Sequence, residues 1–133
     1  MSSPLPPVAG RRRSVLVVDD HPDMRFLLAN IVDRIGYRAF EAVDGDEALA
    51  MVERLRPDLL LLDMRMPGMN GLEVCRRLRA ADETRLLPIV MMSASVEPDA
   101  PERALAAGAN EYLAKPFPIE ELIARLQAWL GNP

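Results

Sequence analysis

The sequence predicts an α/β fold, in which a five-stranded parallel sheet is doubly wound, with five helices distributed over both of its faces. Short β-branched or leucine-rich runs alternate with segments whose apolar residues recur at helical spacing, and the loops between them are short. Parallel neighbours need crossover connections, and right-handed crossovers cover both faces of the sheet. With 133 residues, half of them hydrophobic, the chain suffices for one such domain and not for two.

Order is expected to begin at Ser14. Residues 1–13 are rich in Pro, Ser and Gly without periodicity, so we predict a flexible N-terminal tail followed by one domain over residues 14–133. The basic cluster Arg11 to Arg13 is interpreted as a solvated edge of that tail. "SVLVVDD" is the first strand, and "HPDMRFLLANIVDRIGY" is the first helix, with Gly36 as its C-terminal cap. The apolar stripe of this helix consists of Met24, Leu27, Leu28, Ile31, Val32 and Ile35.

The middle of the chain continues the alternation. "YRAFEA" is predicted as the second strand, and "DGDEALAMVERLR" as a helix that stops before Pro57. "DLLLLD" has the continuous apolar character of a strand buried on both faces. "GLEVCRRLRAA" is the third helix and "PIVMMSA" the fourth strand.

The last elements are less regular. Two prolines in "VEPDAP" predict that the fourth helix starts late, around Glu102, before it ends at Gly108. "EYLA" is the fifth strand, and "PIEELIARLQAWL" is the last helix, in which Pro118 stands where a polar cap is common. The apolar stripe of this helix consists of Ile119, Leu122, Ile123, Leu126 and Leu130.

Polar residues follow the predicted strands at the points where they end. In open parallel sheets such residues gather in a crevice beyond the C-terminal strand ends. The residues concerned are Asp19 and Asp20, Asp63, Ser93 and Lys115. Carboxylates that converge there repel by roughly 4 kcal/mol per close pair, so the site favours a cation, and oxygen ligands suit a hard ion such as Mg²⁺.

Composition excludes several classes of function. A net charge of −4 argues against a nucleic-acid surface, which needs a basic face. A single cysteine, Cys75, cannot form an internal disulfide, and no apolar run is long enough to span a membrane. Because residues 1–14 contain no apolar signal core, we predict a cytoplasmic protein.

Four motifs in order, "VLVVDD", "LLLLDMRMPGMNG", "MMSAS" and "GANEYLAKPF", resemble the receiver domains of two-component response regulators. The resemblance runs from about Ser14 to Leu130. It implies the flavodoxin-like strand order 2-1-3-4-5 and a phosphoryl-accepting function. It also implies a cis peptide between Lys115 and Pro116.

The resemblance assigns roles to residues at the strand ends. Asp63 would be the phospho-acceptor, and Mg²⁺ would be held by Asp20, Asp63 and the backbone carbonyl of Arg65, with Asp19 acting through water. Lys115 and Ser93 would contact the phosphoryl group. Ser93 would also act in the switch, together with the residue Tyr112. Many receivers carry Thr at the position of Ser93, where the hydroxyl donor is retained.

The resemblance further implies partners. The phosphoryl donor would be a sensor histidine kinase or a histidine phosphotransfer protein, and the output a downstream protein target, without direct contact to nucleic acid or membrane. The chain would be a monomer or a phosphorylation-dependent dimer. It would be no conventional enzyme, but a phospho-acceptor that catalyses its own phosphorylation and dephosphorylation. Whether it acts alone or is a receiver excised from a hybrid histidine kinase or a regulator with an output domain remains open.

Other classes fit less well. A phosphatase of the haloacid dehalogenase type needs an acid two residues after the nucleophile, where this chain has Arg65. A flavodoxin-like cofactor binder needs a phosphate loop after the first strand, where this chain has two acids. A degenerate receiver that serves only as an interaction module would have lost part of the acid, hydroxyl and lysine set.

Four further kinds of residue receive no chemical role. One histidine at a helix start, His21, without a second soft ligand is interpreted as a loop residue. The others are interpreted as residues of the core or of helix packing: Cys75, Met91, Met92 and Trp129.

Overall fold

The computed structural model describes residues 12–133 and confirms the predicted fold. Five parallel strands form one sheet in the order β2-β1-β3-β4-β5. The strands are β1 Ser14–Val18, β2 Arg38–Ala42, β3 Leu59–Asp63, β4 Ile89–Ser93 and β5 Glu111–Ala114. The helices are α1 Pro22–Arg34, α2 Gly45–Leu55, α3 Gly71–Ala80, α4 Ala100–Ala106 and α5 Ile119–Leu130, with one 3-10 turn at Asp82–Thr84.

The core has two layers, one on each face of the sheet. Alternate residues of β3 supply both: Leu59 and Leu61 pack with α1 and α5, whereas Leu60 and Leu62 pack with α2, α3 and α4. A strand with both faces covered must be apolar at every position, which explains the four consecutive leucines. Cys75, Met91 and Met92 are also buried, as predicted.

Helix α2 has the clearest end signals in the chain. The side chain of Asp44 accepts a hydrogen bond from the backbone N–H of Glu47 at 2.8 Å, and the Glu47 carboxylate accepts one from the N–H of Val43 at 2.9 Å. At the other end Arg56 adopts the left-handed conformation, with φ of 49°. Pro57 then prevents continuation of the helix.

Three predictions about the helices need correction. Leu27 and Ile119 were placed on apolar stripes but are exposed, because the buried stripes of α1 and α5 are narrower than the pattern indicates. Helix α4 begins at Ala100, two residues before the predicted start at Glu102. Proline is tolerated in a first helical turn, where its missing N–H would have no partner inside the helix, so Pro101 does not delay the start.

The basic cluster is only partly outside the fold. Residues 1–11, most of the predicted tail, lie outside the described residues. Arg13, however, is not a solvated edge: only 12 % of its side chain is exposed, and its guanidinium lies 3.8 Å from the Asp58 carboxylate. Its carbonyl also accepts a hydrogen bond from the N–H of Arg38, which extends the pairing of β1 with β2.

The side chain of Arg79 connects α3 to the segment that leads into β5. Its guanidinium donates to the carbonyls of Gly108 at 2.8 Å and Thr84 at 3.2 Å, and to the Asn110 side-chain oxygen at 2.9 Å. The same Asn110 oxygen accepts from the backbone N–H of Ile89 at 2.8 Å. Burial lowers the pKa of Arg79, and each of the three guanidinium nitrogens donates to one acceptor in that environment.

Candidate functional site

The strand-end residues predicted from sequence converge at one edge of the sheet. Strand β3 lies between β1 and β4, so Asp63 lies beside the acid pair on one side and Ser93 on the other. Asp19 and Ser93 are fully buried, and Asp63 is only 4 % exposed. A rigid sheet thus presents several polar groups in one crevice.

The loop after β3 depends on a residue without a side chain. Helix α3 begins at Gly71, whose N–H donates to the carbonyl of Met64 at 3.0 Å. A Cβ at Gly71 would collide with the carbonyl oxygen of Asp63. Glycine therefore lets α3 start directly against the backbone of the acid, while the Asn70 side chain caps the helix by accepting from the Glu73 N–H at 3.1 Å.

Lys115 enters the crevice from the end of β5. Its ammonium donates to Asp19 Oδ2 at 2.9 Å and lies 3.7 Å from Asp63 Oδ2. The peptide between Lys115 and Pro116 is cis, as the sequence resemblance implied. The Lys115 ammonium is thus closer to Asp19 than to Asp63, the predicted phospho-acceptor.

Electrostatics single out Asp63. Burial, with smaller contributions from the charges of Asp19 and Asp20, raises the pKa of its carboxyl from 3.8 to about 6, against the opposing effects of Lys115 and the Arg65 N–H. That N–H donates to Asp63 Oδ1 at 3.2 Å. One cation and one hydrogen bond do not offset desolvation and two neighbouring acids, so the site as described favours additional positive charge.

Arg25 is a contributor that the sequence analysis did not identify. Its guanidinium donates to the carbonyl oxygen of Asp19 at 3.0 Å and to the Glu41 carboxylate at 3.2 Å, and the residue is nearly buried. It therefore fixes the backbone of the acid pair against β2. The signal available in the sequence was a charged residue three positions before Leu28, on the buried stripe of α1.

The crevice fits a divalent cation. Asp19, Asp20, His21 and Asp63 each offer one ligand atom, and these atoms all lie within 4.8 Å of one another. Asp20 Oδ1 is buried and, among the described residues, has no hydrogen-bond partner. A carboxylate oxygen that gives up water without gaining a donor is unfavourable unless a cation takes its place.

A polar network borders the crevice at β4. The Ser93 hydroxyl accepts a hydrogen bond from the backbone N–H of Ser95 at 2.9 Å. The Arg65 guanidinium donates to Ser95 Oγ at 3.3 Å and pairs with Glu97, whose carboxylate also lies 3.6 Å from the Arg103 guanidinium. Glu97 thus connects the loop after β3 to α4, a contact that spacing alone could not reveal.

Two aromatic residues of the C-terminal half lie farther from the acids. Tyr112, on β5, is half-buried against the core layer below α4, and its hydroxyl is buried without a hydrogen-bond partner in the described part of the chain. Trp129, a residue of α5, packs against the core layer that α1 and α5 cover, as predicted, and its indole N–H donates to the Glu111 carboxylate. No helix within residues 12–133 is long and apolar enough to cross a membrane.

Known proteins resemble the chain in sequence. The family description "Response regulator receiver domain" matches residues 15–127. The chain is 43 % identical over 119 residues to the DNA-binding response regulator MtrA of Mycolicibacterium smegmatis, a match that covers 90 % of this chain and 51 % of that protein. It is 41 % identical over 116 residues to the phosphate regulon transcriptional regulatory protein PhoB of Rhizobium meliloti, with 87 % and 51 % covered. The chain spans about half the length of these curated relatives.

Solved structures agree with the sequence comparison. The chemotaxis protein CheY4 of Vibrio cholerae superposes with a TM-score of 0.83 at 34 % identity, covering 90 % of this chain and 99 % of that one. The receiver domain of the sensor histidine kinase PA1611 from Pseudomonas aeruginosa, solved with magnesium in its active-site cleft, gives 0.83 at 36 % identity, covering 90 % and 98 %. The chain therefore belongs to the response regulator receiver domain family of two-component systems.

Proposed function

We propose that the chain accepts a phosphoryl group on Asp63 from a phosphohistidine, in a step that depends on Mg²⁺. The donor is a sensor histidine kinase or a histidine phosphotransfer protein. The observation that carries this proposal is the placement of a nearly buried carboxylate, with Lys115 at 3.7 Å, beside two further acids. Phosphoryl transfer depends mainly on positioning and charge, and this crevice offers both.

The acidic residues would hold the ion. In this proposal Asp20 and Asp63 bind Mg²⁺ directly, the carbonyl of Arg65 is a third ligand, and Asp19 acts through water. The unpartnered Oδ1 of Asp20 supports a direct role, whereas Asp19 is already bound by Lys115. When bound, Mg²⁺ supplies positive charge against the oxygens of the transferring group.

The protein's own groups account for the rest of the step. An Asp63 oxygen forms the new P–O bond while the P–N bond of the phosphohistidine breaks, and the imidazole of the donor leaves with the bonding electrons. Lys115 neutralises charge on the phosphoryl oxygens, and the Ser93 hydroxyl donates to one of them. Hydrolysis of the product by water in the same crevice makes the chain a catalyst of its own phosphorylation and dephosphorylation.

Phosphorylation would act on the surface formed by α4, β5 and α5. Ser93 and Tyr112 are proposed to move with it, and the changed surface binds a downstream protein as a monomer or a phosphorylation-dependent dimer. The net charge of −4 supports a protein target over direct contact with nucleic acid. We also propose a cytoplasmic location, where a histidine kinase could reach the chain.

A second candidate is that this receiver operates inside a longer protein. The chain spans 51 % of MtrA, whose name describes a DNA-binding regulator, and a comparable receiver is part of the sensor kinase PA1611. In either setting the acceptor chemistry stays in this domain and the attached domain supplies the output.

Labelling tests the acceptor. The protein is incubated with Mg²⁺ and acetyl phosphate, and phosphorylation is read by intact mass and phosphate-affinity gels. We expect full labelling of the parent, none of Asp63→Asn, and parental labelling of Asp23→Asn, a nearby acid of α1. Full labelling of Asp63→Asn would disprove the proposal.

Calorimetry tests the metal ligands. Titration with Mg²⁺ should show a larger loss of affinity for Asp20→Asn than for Asp19→Asn, because losing a direct ligand costs more than losing a contact through water. Equal losses would contradict the assignment.

Amide resonances test the switch. Beryllofluoride, a phosphoryl mimic, is added with Mg²⁺ to the parent and to Ser93→Ala. We expect the variant to bind the mimic but to show reduced shifts around Tyr112, because one of the contacts made only by the modified acid is missing. A full parental response at saturation would rule out this role for Ser93.

A further inference from the structure

His21 lies closer to the acids than a loop residue without chemistry needs to. It is the N-cap residue of α1, and its backbone N–H donates to Asp19 Oδ1 at 2.9 Å, which fixes its position. Its Nδ1 lies 3.4 Å from Asp19 Oδ1 and 3.3 Å from Asp20 Oδ1. The side chain is 74 % exposed, so no packing contact forces the imidazole toward these oxygens.

These separations match those of ligands that share one ion. Two ligands at about 2.0 to 2.1 Å from a Zn²⁺ ion lie about 3.4 Å apart in a tetrahedral site and about 3.0 Å apart in an octahedral one. The approach of Nδ1 does not satisfy Asp20 Oδ1, which has no hydrogen-bond partner. Asp63 contributes a third ligand atom within the same 4.8 Å cluster.

The kind of atom matters as much as its position. Carboxylate oxygens alone suit Mg²⁺, whereas imidazole suits borderline ions such as Zn²⁺ and Co²⁺, which also bind a given nitrogen and oxygen site more tightly than the earlier divalent metals. We propose that His21 Nδ1, Asp20 Oδ1 and the Asp63 carboxylate form a mixed nitrogen and oxygen site for Zn²⁺ or Co²⁺ at the crevice proposed for Mg²⁺.

Such a site makes the cation in the crevice depend on which metals are available. Zn²⁺ held by His21 occupies Asp63 and Asp20, so it excludes Mg²⁺ from the same oxygens. It also blocks the acceptor, a consequence that rests on the proposed phosphoryl transfer. The binding itself does not rest on that function, because it requires only the three ligand atoms.

Calorimetry separates the two ions. Mg²⁺ and Zn²⁺ are titrated separately, at one fixed neutral pH, into the parent, His21→Asn and Asp23→Asn. Asparagine is a preferred N-cap, so the first variant keeps the start of α1, and the second removes a nearby charge that lies outside the cluster. We expect His21→Asn to weaken the binding of Zn²⁺ by about tenfold or more, because loss of a residue that only contacts a metal ligand already lowers metal affinity by that factor. The affinity for Mg²⁺ should stay within about twofold of the parent.

The imidazole itself gives the second measurement. His21 is the only histidine in the chain, so its two ring nitrogens can be followed by ¹⁵N NMR without assignment. Zn²⁺ should shift Nδ1 far more than Nε2, and Co²⁺ should give a visible spectrum that His21→Asn changes.

Each other outcome overturns the inference. Equal Zn²⁺ affinity in the parent and His21→Asn, or a shift at Nε2 alone, removes His21 from the site while the Mg²⁺ proposal stands. An equal loss of affinity for Mg²⁺ and Zn²⁺ in His21→Asn would mean that His21 acts only through general electrostatics and not as a Zn²⁺ ligand. A parent that binds neither ion removes the inference and the Mg²⁺ dependence together.

Discussion

The acidic crevice and the segment 94–107, which contains α4, are neighbours that are held in place by different means. Asp19 and Asp63 lie at the ends of fully buried strands. The segment 94–107 contains a seven-residue helix whose N-cap, Asp99, makes no side-chain cap hydrogen bond. It buries only small side chains, those of Ala100, Ala104 and Ala107, and exposes Val96 and Leu105.

The difference is one of packing: a firmly supported crevice lies beside a segment that contributes little to the core. Burial of the strands supplies the free energy that holds the mutually repelling carboxylates of the crevice together. A short helix with small buried side chains contributes little stability and can rearrange at low cost. The link between the two regions is polar: Glu97 pairs with Arg65 at the crevice and with Arg103 on α4.

The largest expected effect compares the same substitution in both regions. Leu61→Ala, at a side chain with 0 % exposure, should lower the free energy of unfolding by about 3 to 5 kcal/mol, because it leaves a cavity in the core. Leu105→Ala, at a side chain with 52 % exposure on α4, should change it by less than about 0.5 kcal/mol. Urea unfolding measures both. Similar losses would mean that α4 is packed as firmly as the sheet.

The second largest expected effect is a gain in stability, on substitution of Asp63. Burial raises the pKa of Asp63 from 3.8 to about 6, so its charged form is disfavoured in the folded state. Protonation of Asp63 therefore favours the folded state over the unfolded state. This contribution to the free energy of unfolding is fully present below pH 3.8 and is lost as the pH rises through about 6. Without metal, Asp63→Asn should therefore stabilise the protein by about 2 to 3 kcal/mol at neutral pH.

Urea unfolding in EDTA at neutral and acidic pH checks this prediction. The gain should disappear toward the lower pH, and added Mg²⁺ should reduce it by stabilising the parent. Asp23→Asn is the control. A gain of the same size at both pH values would show that removing the charge is not its cause.

Helix caps give a third, smaller comparison. Asp44→Ala should destabilise by about 1 kcal/mol, because its side chain caps α2. Asp99→Ala should lower the free energy of unfolding by only about a few tenths of a kcal/mol, since no cap hydrogen bond is lost. Thermal and urea unfolding of both variants measure these changes. An equal loss of stability in the two variants would indicate that the Asp99 side chain caps α4 in solution.

The smallest effect concerns the link itself. Glu97→Gln should lower stability by less than about 0.5 kcal/mol, because the ion pairs are exposed, and added salt should remove the difference. Amide shifts should nevertheless spread over residues 94–107. Glu73→Gln, which breaks an exposed pair within α3, serves as the control and should affect its own helix only.

Sequence reasoning predicted the sheet because the three central strands, β1, β3 and β4, are continuous apolar runs, and because strand and helix patterns alternate along the chain. The rule that polar groups gather at strand ends then located Asp63, Ser93 and Lys115 in one crevice, as the structure describes them. The roles of these residues remain predictions. Helix α4 was placed two residues late because a proline in a first turn is compatible with a helix.

What could not be predicted depends on partners distant in the chain. The role of Arg25 depends on Glu41, which lies opposite it on β2. The role of Glu97 depends on Arg65, which reaches it from another loop. A local pattern can mark a charged residue on a buried stripe, as at Arg25, but it does not identify the partner of that residue. The position of His21 Nδ1 between two carboxylates belongs to the same class, because a side-chain rotamer decides it.

Arg79 also has a consequence for evolution. Its planar guanidinium serves three acceptors at once, and one of them, the Asn110 side chain, also holds the start of β4 through Ile89. Lysine cannot reproduce that fork geometry, so neither partner can change alone without leaving a partly buried backbone group unpaired. Among homologues that descend from a common ancestor with this chain, we expect positions 79 and 110 to covary, and the pair to be lost or retained together.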